Sequence, residues 1–171
     1  MLFVLCYPKL STADSEAIEA FRRRHEPERA NMVRAHVTLV FGVTSVSPAA
    51  LVKMAQSIAS ATAPFDFGLD EITVEAHEQG SHNLFLKIGN GRDALIGLNR
   101  NFYTGALAPE RADIEFDPHI TIATNADLRT IIEAAPEAKP LVQIKGRIEA
   151  LDIAALDGAT LRSVASLPLR G

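Results

Sequence analysis

The stretch His36-Val37-Thr38-Leu39 returns later in the chain as His119-Ile120-Thr121-Ile122. In both copies a polar residue alternates with an aliphatic one, the pattern of a half-buried strand. Side chains along a strand point alternately to its two faces. His36 and Thr38 therefore share one face, with Val37 and Leu39 on the other. His119 and Thr121 repeat this against Ile120 and Ile122. Each copy presents an imidazole beside a hydroxyl, backed by core residues.

Working outward, the order of elements also repeats. An apolar strand, Leu2 to Tyr7, is closed by Pro8. Ser11 or Thr12 caps a helix running to about His25, with Ile18 and Phe21 inward and Arg22, Arg23 and Arg24 near its C-terminal end, where cations suit the helix dipole. Glu26-Pro27 ends it, and a polar loop over 26–33 leads to the first His strand, which closes near Phe41-Gly42. Ser47-Pro48 opens the next helix, built on Leu51, Met54, Ala55 and Ile58. Pro64 stops it, and two strands follow, 65–76 and 83–88, with Gly80-Ser81 in the turn.

The second half repeats that order. A helix over about 93–103 carries Leu95, Leu98 and Phe102 on one stripe. An irregular segment, 105–118, precedes the second His strand, 119–123. Asn125 is the expected cap of a helix through about Ala134. A strand over 141–156 and a partner over 160–167 form a hairpin on Asp157-Gly158. Phe3 and Phe85 fall at matching places in this alignment. The expectation is one α+β domain over residues 1–171, made of two pseudo-symmetric lobes, about 1–78 and 82–168. Two antiparallel sheets would face a central cleft, with helices on the outer faces.

Bulk composition fits a globular chain: 171 residues, 47% hydrophobic and 22% charged. A net charge of −4 argues against broad binding of long nucleic acids, but not against a small phosphate ligand in a locally basic cleft. Cys6 is the only cysteine, so neither an internal disulfide nor a cysteine-based zinc site is expected. No basic segment precedes the apolar N-terminal residues, and that run stops at Pro8. No signal peptide, membrane span or membrane partner is expected, and a cytoplasmic location is the default.

Two imidazoles suit proton transfer near neutral pH. One, neutral, takes a proton from the nucleophile; the other, protonated, gives one to the leaving oxygen. In-line displacement at phosphorus puts those two oxygens on opposite sides, as would a base and an acid from opposite halves of a repeat. Thr38 and Thr121 would donate to the non-bridging phosphoryl oxygens. The scheme requires no metal and no cofactor.

The motifs, read as His36-Val37-Thr38-Leu39 and Asp117-Pro118-His119-Ile120-Thr121-Ile122, resemble those of the 2H phosphoesterase superfamily. That group includes the bacterial 2′-5′ RNA ligase-like proteins and the cyclic phosphodiesterases. Leu2-Phe3-Val4-Leu5, Phe41-Gly42 and Pro118 add to the resemblance, which spans nearly the whole chain. It implies a bilobal fold and metal-independent phosphodiester chemistry, often on 2′,3′-cyclic phosphate ends of RNA or on small cyclic nucleotides. His36 and His119 carry over as catalytic residues, Thr38 and Thr121 as phosphate-binding.

Around them, Arg34 would share the His36 face if the strand starts that early and is a candidate phosphate ligand, although a solvated strand-end charge is the plainer reading. Phe3, Tyr7 and Phe85 are candidate base-stacking residues, although core packing suits Phe3 and Phe85 better. Lys87 would add positive charge, and loop 105–116 could cover the cleft. His25, His77 and His82 read as ordinary packed or surface histidines. Three alternatives compete with a cyclic phosphodiesterase. One is a 2′-5′ RNA ligase or 2′-5′ phosphodiesterase. Another is a nucleotide- or RNA-end-binding module without turnover. The last is a zinc hydrolase needing Asp117 or His82 as third ligand.

Overall fold

The computed structural model describes residues 1–77, 80–112, 115–158 and 160–171. Its strands are β1 (Leu2–Cys6), β2 (Val37–Val43), β3 (Phe65–Ala76), β4 (His82–Ile88), β5 (His119–Asn125), β6 (Lys145–Ile148), β7 (Ala150–Asp157) and β8 (Thr160–Pro168). Its helices are α1 (Thr12–His25), α2 (Pro27–Met32), α3 (Pro48–Ser60), α4 (Arg92–Phe102) and α5 (Leu128–Ala134). The strands form two four-stranded antiparallel sheets, ordered β2-β1-β7-β8 and β5-β4-β3-β6. This is the expected α+β arrangement, with each His strand at the edge of its sheet.

The sheets do not take their strands from one contiguous half each. The strand after α3, β3, joins the second sheet, and the C-terminal hairpin joins the first. The expected single strand over 141–156 is accordingly broken. A 3-10 segment, Ala135–Gln143, leads into β6, which pairs with β3; after Glu149 the chain continues as β7, which pairs with β1. One strand cannot lie in two sheets, so the direction changes at Glu149. Backbone bonds from Lys9 N to Arg147 O (2.8 Å) and from Arg147 N to Lys9 O (3.1 Å) tie the sheets together nearby.

Two local expectations are also corrected. The polar loop over 26–33 contains α2, because Pro27 occupies a first-turn position where its missing N–H costs nothing. Asn125 is not the cap of α5. It ends β5 and accepts from the Asp127 amide at 2.8 Å, while Asp127 caps the helix by accepting from Arg129 N at 3.0 Å. Ser11 and Ser47 cap α1 and α3 as the sequence indicates.

The aliphatic residues of both His strands, Val37, Leu39, Ile120 and Ile122, are wholly buried. Cys6 and Leu86, opposite Val37 and Ile120 on the ladders, are buried with them. This apolar anchoring, about 2–5 kcal/mol for a buried Leu or Ile judged by truncation to Ala, fixes which face carries His and Thr.

Helix packing crosses between the sheets. α1 lies against β5, and α4 lies against β2. The outer edge of β2 is satisfied by α4: Asn99 Nδ2 donates to the Leu39 carbonyl at 2.9 Å, and the Phe41 amide donates to Tyr103 Oη at 3.2 Å. Gly42, the last residue but one of β2, has a left-handed φ of 49°. A Cβ there would come within 2.7 Å of Met1 Sδ. Among the described residues, no helix is long and apolar enough to cross a membrane.

Candidate active site

The two histidines are held in the same way. His36 Nδ1 lies 2.7 Å from the Arg34 carbonyl, and His119 Nδ1 lies 2.8 Å from the Asp117 carbonyl. A carbonyl only accepts, so Nδ1 carries the proton in both rings. That leaves each Nε2 with the lone pair, free to take or return a proton. The bond spans two residues in each case, so the repeat extends to tautomer control. His36 sits immediately before β2, His119 is the first residue of β5, and the two strands contact each other.

Their surroundings differ. Burial, joined by Arg22 and Arg29 and opposed by the bond to the Arg34 carbonyl and by Glu19, lowers the His36 pKa from 6.5 to about 4. Burial also lowers that of His119, with Lys87 acting the same way while Glu75 and Asp117 oppose it. Tyr7 meets His36 edge-on, centroids 6.0 Å apart, whereas Phe85 stacks on His119 at 3.8 Å and 22°.

Thr38 and Thr121 are half-buried and sit opposite Leu5 and Phe85 on their ladders. The counterpart of Phe85 is therefore Leu5, not Phe3, because the register places Leu5 against the first motif's threonine. Phe3 lies near Gly42 at the far end of β2. The Arg34 guanidinium lies over the Tyr7 ring, 4.6 Å from its centroid. Burial and Asp152 push the Tyr7 phenol up, with Arg34 and Arg22 pulling it back. Phe85 is buried, with its face against His119.

Lys87 stands opposite His119 on the β4–β5 ladder. Its ammonium is bonded to Glu75 and, at 2.8 Å, to Asp117; Arg92 reaches the same Asp117 carboxylate at 3.4 Å. Burial alone would pull the Lys87 pKa down, but the two carboxylates outweigh it and the net shift is upward. Burial likewise opposes the Asp117 charge, and Lys87 and Arg92 outweigh it, holding that carboxyl below its usual range. Asp117, read from the sequence as a conceivable zinc ligand, is thus occupied by two cations. Among the described residues, no three His, Cys, Asp or Glu side chains are grouped as a metal site needs.

A cavity of about 1150 Å³ opens on the His119 side. Phe41, Ile96, Arg100, Tyr103, Phe116 and His119 contribute to its wall. Phe41 is 52% exposed, unusual for a large apolar ring. His36, the two threonines, Arg34, Phe3 and Tyr7 do not line this cavity. His77 does, while His25 packs on Phe21. Part of loop 105–116 walls the cavity as well, positions 113 and 114 lying outside the described residues. Sequence reading did not assign a site role to Phe41, Tyr103 or Arg100. Strict alternation puts Phe41 in phase with Val37 and Leu39; a bulge in the β1–β2 ladder between Thr38 and Val40 leaves it exposed instead, so no local signal marked it.

Paired edge strands bearing His-x-Thr, each histidine fixed through Nδ1, on two antiparallel sheets, define a 2H phosphoesterase. The family model for the 2′-5′ RNA ligase superfamily matches residues 10–160. The chain belongs to that superfamily. No curated protein matches it in sequence. The fold is shared with TT0787 of Thermus thermophilus (TM-score 0.67, 19% identity, 100% of this chain and 99% of that one covered). It is also shared with apo LigT of E. coli (0.60, 18%, 99% and 97%) and with Usb1 of Kluyveromyces marxianus (0.62, 11%, 98% and 97%). LigT has also been solved with 3′-AMP, NADP+ and phosphate, and Usb1 with uridine monophosphate.

Proposed function

We propose that the chain is a single domain of two pseudo-symmetric lobes that hydrolyses a 2′,3′-cyclic phosphate, on an RNA end or a small nucleotide, with His36 and His119 as its acid–base pair. The observation carrying this reading is the matched pair of Nδ1–carbonyl bonds, which leaves two Nε2 atoms on strands that meet. One Nε2 removes a proton from water as the water oxygen bonds to phosphorus. The other, protonated, delivers its proton to the ribose oxygen as the P–O bond to it breaks. Thr38 and Thr121 donate to the non-bridging oxygens, where charge gathers. None of their hydroxyls is bonded within the protein among the described residues, which fits that task. No metal or cofactor takes part.

Phe41 supplies an open ring face for the nucleobase in the His119-side cavity, with Arg100 and Tyr103 beside it. Phe85 and Tyr7 support the two imidazoles, and Arg34 remains a phosphate ligand in this reading. Nucleotide ligands of LigT and Usb1 support the substrate class. The cytoplasmic location expected from the sequence goes with it, since nucleotides and RNA ends are found there.

The family membership favours a second reading, formation or cleavage of a 2′-5′ linkage, in which a ribose hydroxyl replaces water as nucleophile. Both are tested with a panel of cyclic nucleotides, cyclic-phosphate-ended oligonucleotides and 2′-5′-linked dinucleotides, with and without excess chelator. Turnover that survives chelator and falls by about 10²–10⁴-fold in His36→Ala and in His119→Ala is expected. Full activity in either variant would sink the proposal. Saturable binding without any product would favour a binding module.

A further inference from the structure

We infer that Glu19 and Arg22 of α1 are positioning residues for His36, bracketing the carbonyl that sets its tautomer. The inference rests on His36 being an acid–base residue. Its observation is independent of that: two side chains from one helix hold the backbone on both sides of Arg34.

The His36 ring is useful for proton transfer at Nε2 only while Nδ1–H stays on the Arg34 carbonyl. Residues 33–36 belong to no helix or strand, so regular secondary structure does not aim that carbonyl. Instead, Arg22 Nη1 donates to the Val33 carbonyl at 2.9 Å, and the Ala35 amide donates to Glu19 Oε1 at 2.7 Å. The same Arg22 nitrogen donates to Glu19 Oε2 at 3.0 Å, and Arg22 Nε donates to Glu26 Oε1 at 2.6 Å. One guanidinium and one carboxylate thereby fix the peptide groups that flank Arg34. Arg22 is 2% exposed. Burying a guanidinium is costly unless its donors are satisfied, and here Nε and Nη1 are satisfied by this segment and two carboxylates.

Ile18 and Phe21, beside Glu19 and Arg22 on α1, are buried in the core, and α1 packs on β5. One helix therefore rests on the His119 strand and holds the approach to His36. The other histidine is braced by a different device, the Asp117 carboxylate held by Lys87 and Arg92.

The test uses the full chain and reads the tautomer directly, by nitrogen-15 NMR of both imidazoles without substrate. Wild type should show the Nδ1–H form at His36. Glu19→Ala, which removes the acceptor for Ala35, should populate the Nε2–H form at His36 and leave His119 unchanged. Its kcat should fall about tenfold with KM nearly constant, the size typical of losing a group that orients a functional histidine. Glu19→Gln keeps an acceptor oxygen and should retain most of the wild-type behaviour. A folded Glu19→Ala with the wild-type His36 tautomer overturns the inference.

If Glu19→Ala does not fold, amide exchange in wild type decides. Protection of the Ala35 amide supports the clamp, and exchange at an open-loop rate overturns it. Because the tautomer is read without substrate, absence of turnover on cyclic phosphates would defeat the proposed function and leave this inference standing.

Discussion

The ring of Phe85 lies flat against that of His119, whereas His36 receives only the edge of Tyr7. Stacking holds the His119 plane in a way that edge contact does not. Phe85→Leu, which keeps much of the apolar volume, should fold and lose activity severalfold. Phe85→Ala should cost on the order of 3 kcal/mol of stability as well, the usual range for a buried Phe. Tyr7→Phe should be close to wild type in both respects. Denaturant titration and turnover on one cyclic substrate separate these outcomes.

Both imidazoles titrate below 6.5, His36 at about 4. The profile of kcat/KM reports the free enzyme, requiring one ring neutral and the other protonated. It rises as pH climbs past the lower pKa and falls past the higher one, which itself lies below 6.5. The optimum is therefore expected on the acid side of free imidazole. An optimum at pH 8 would contradict the burial of both rings.

The same shift makes a statement about stability. The folded pKa of His36 lies below the unfolded value of 6.5, so the unfolded chain binds the proton more tightly. Stability is full above 6.5 and is lost as pH falls from there towards about 4. The loss is at most about 3 kcal/mol for this group. Urea midpoints measured across that range should fall in wild type and fall less in His36→Phe.

Phe41 is an exposed aromatic on a cavity wall, so its removal should weaken binding and spare the chemistry. Phe41→Ala should raise KM about tenfold for a cyclic nucleotide, within the usual worth of one base–aromatic stack, with kcat little changed. Loss of stability with no change in KM would assign Phe41 to packing instead.

Asn99 is buried and answers the Leu39 carbonyl on the open side of β2. Asn99→Ala leaves that carbonyl without its partner. The expected cost is about 1–3 kcal/mol, read from thermal or denaturant unfolding. It also uncovers part of an edge strand, and concentration-dependent association measured by light scattering should increase.

Much of this arrangement is legible in local sequence. Alternation located both His strands, Ser47-Pro48 opened α3, and Asp157-Gly158 turned the last hairpin, because each depends on a few neighbouring residues. The exchange of third strands was not legible. Whether β3 pairs with β4 or lies beside β1 depends on partners far along the chain, and periodicity carries no information about them. The break at Glu149 follows from that exchange and was missed with it. Matching Phe3 to Phe85 failed because Thr38 lies 38 − 5 = 33 residues after Leu5 whereas Thr121 lies 121 − 85 = 36 after Phe85, so the spacing between halves at this strand differs from that at the motifs. The His-x-Thr pairs announce themselves through repetition. Phe41, Tyr103 and Arg100 do not, since only folding brings them to one wall. Arg22 reads as one of three consecutive arginines at a helix end, yet it alone of the three is buried.

The crossed packing of α1 on β5 and α4 on β2 has a consequence for how the molecule comes apart. A duplicated protein with self-sufficient halves could lose one and keep the other. Here a chain cut between β3 and β4 would leave α1 without its seat, the edge of β2 bare, and β3 without either of the strands it pairs with. Neither fragment holds a complete sheet. Unfolding should proceed in one cooperative step, and the two fragments, each disordered alone, should regain structure only when mixed.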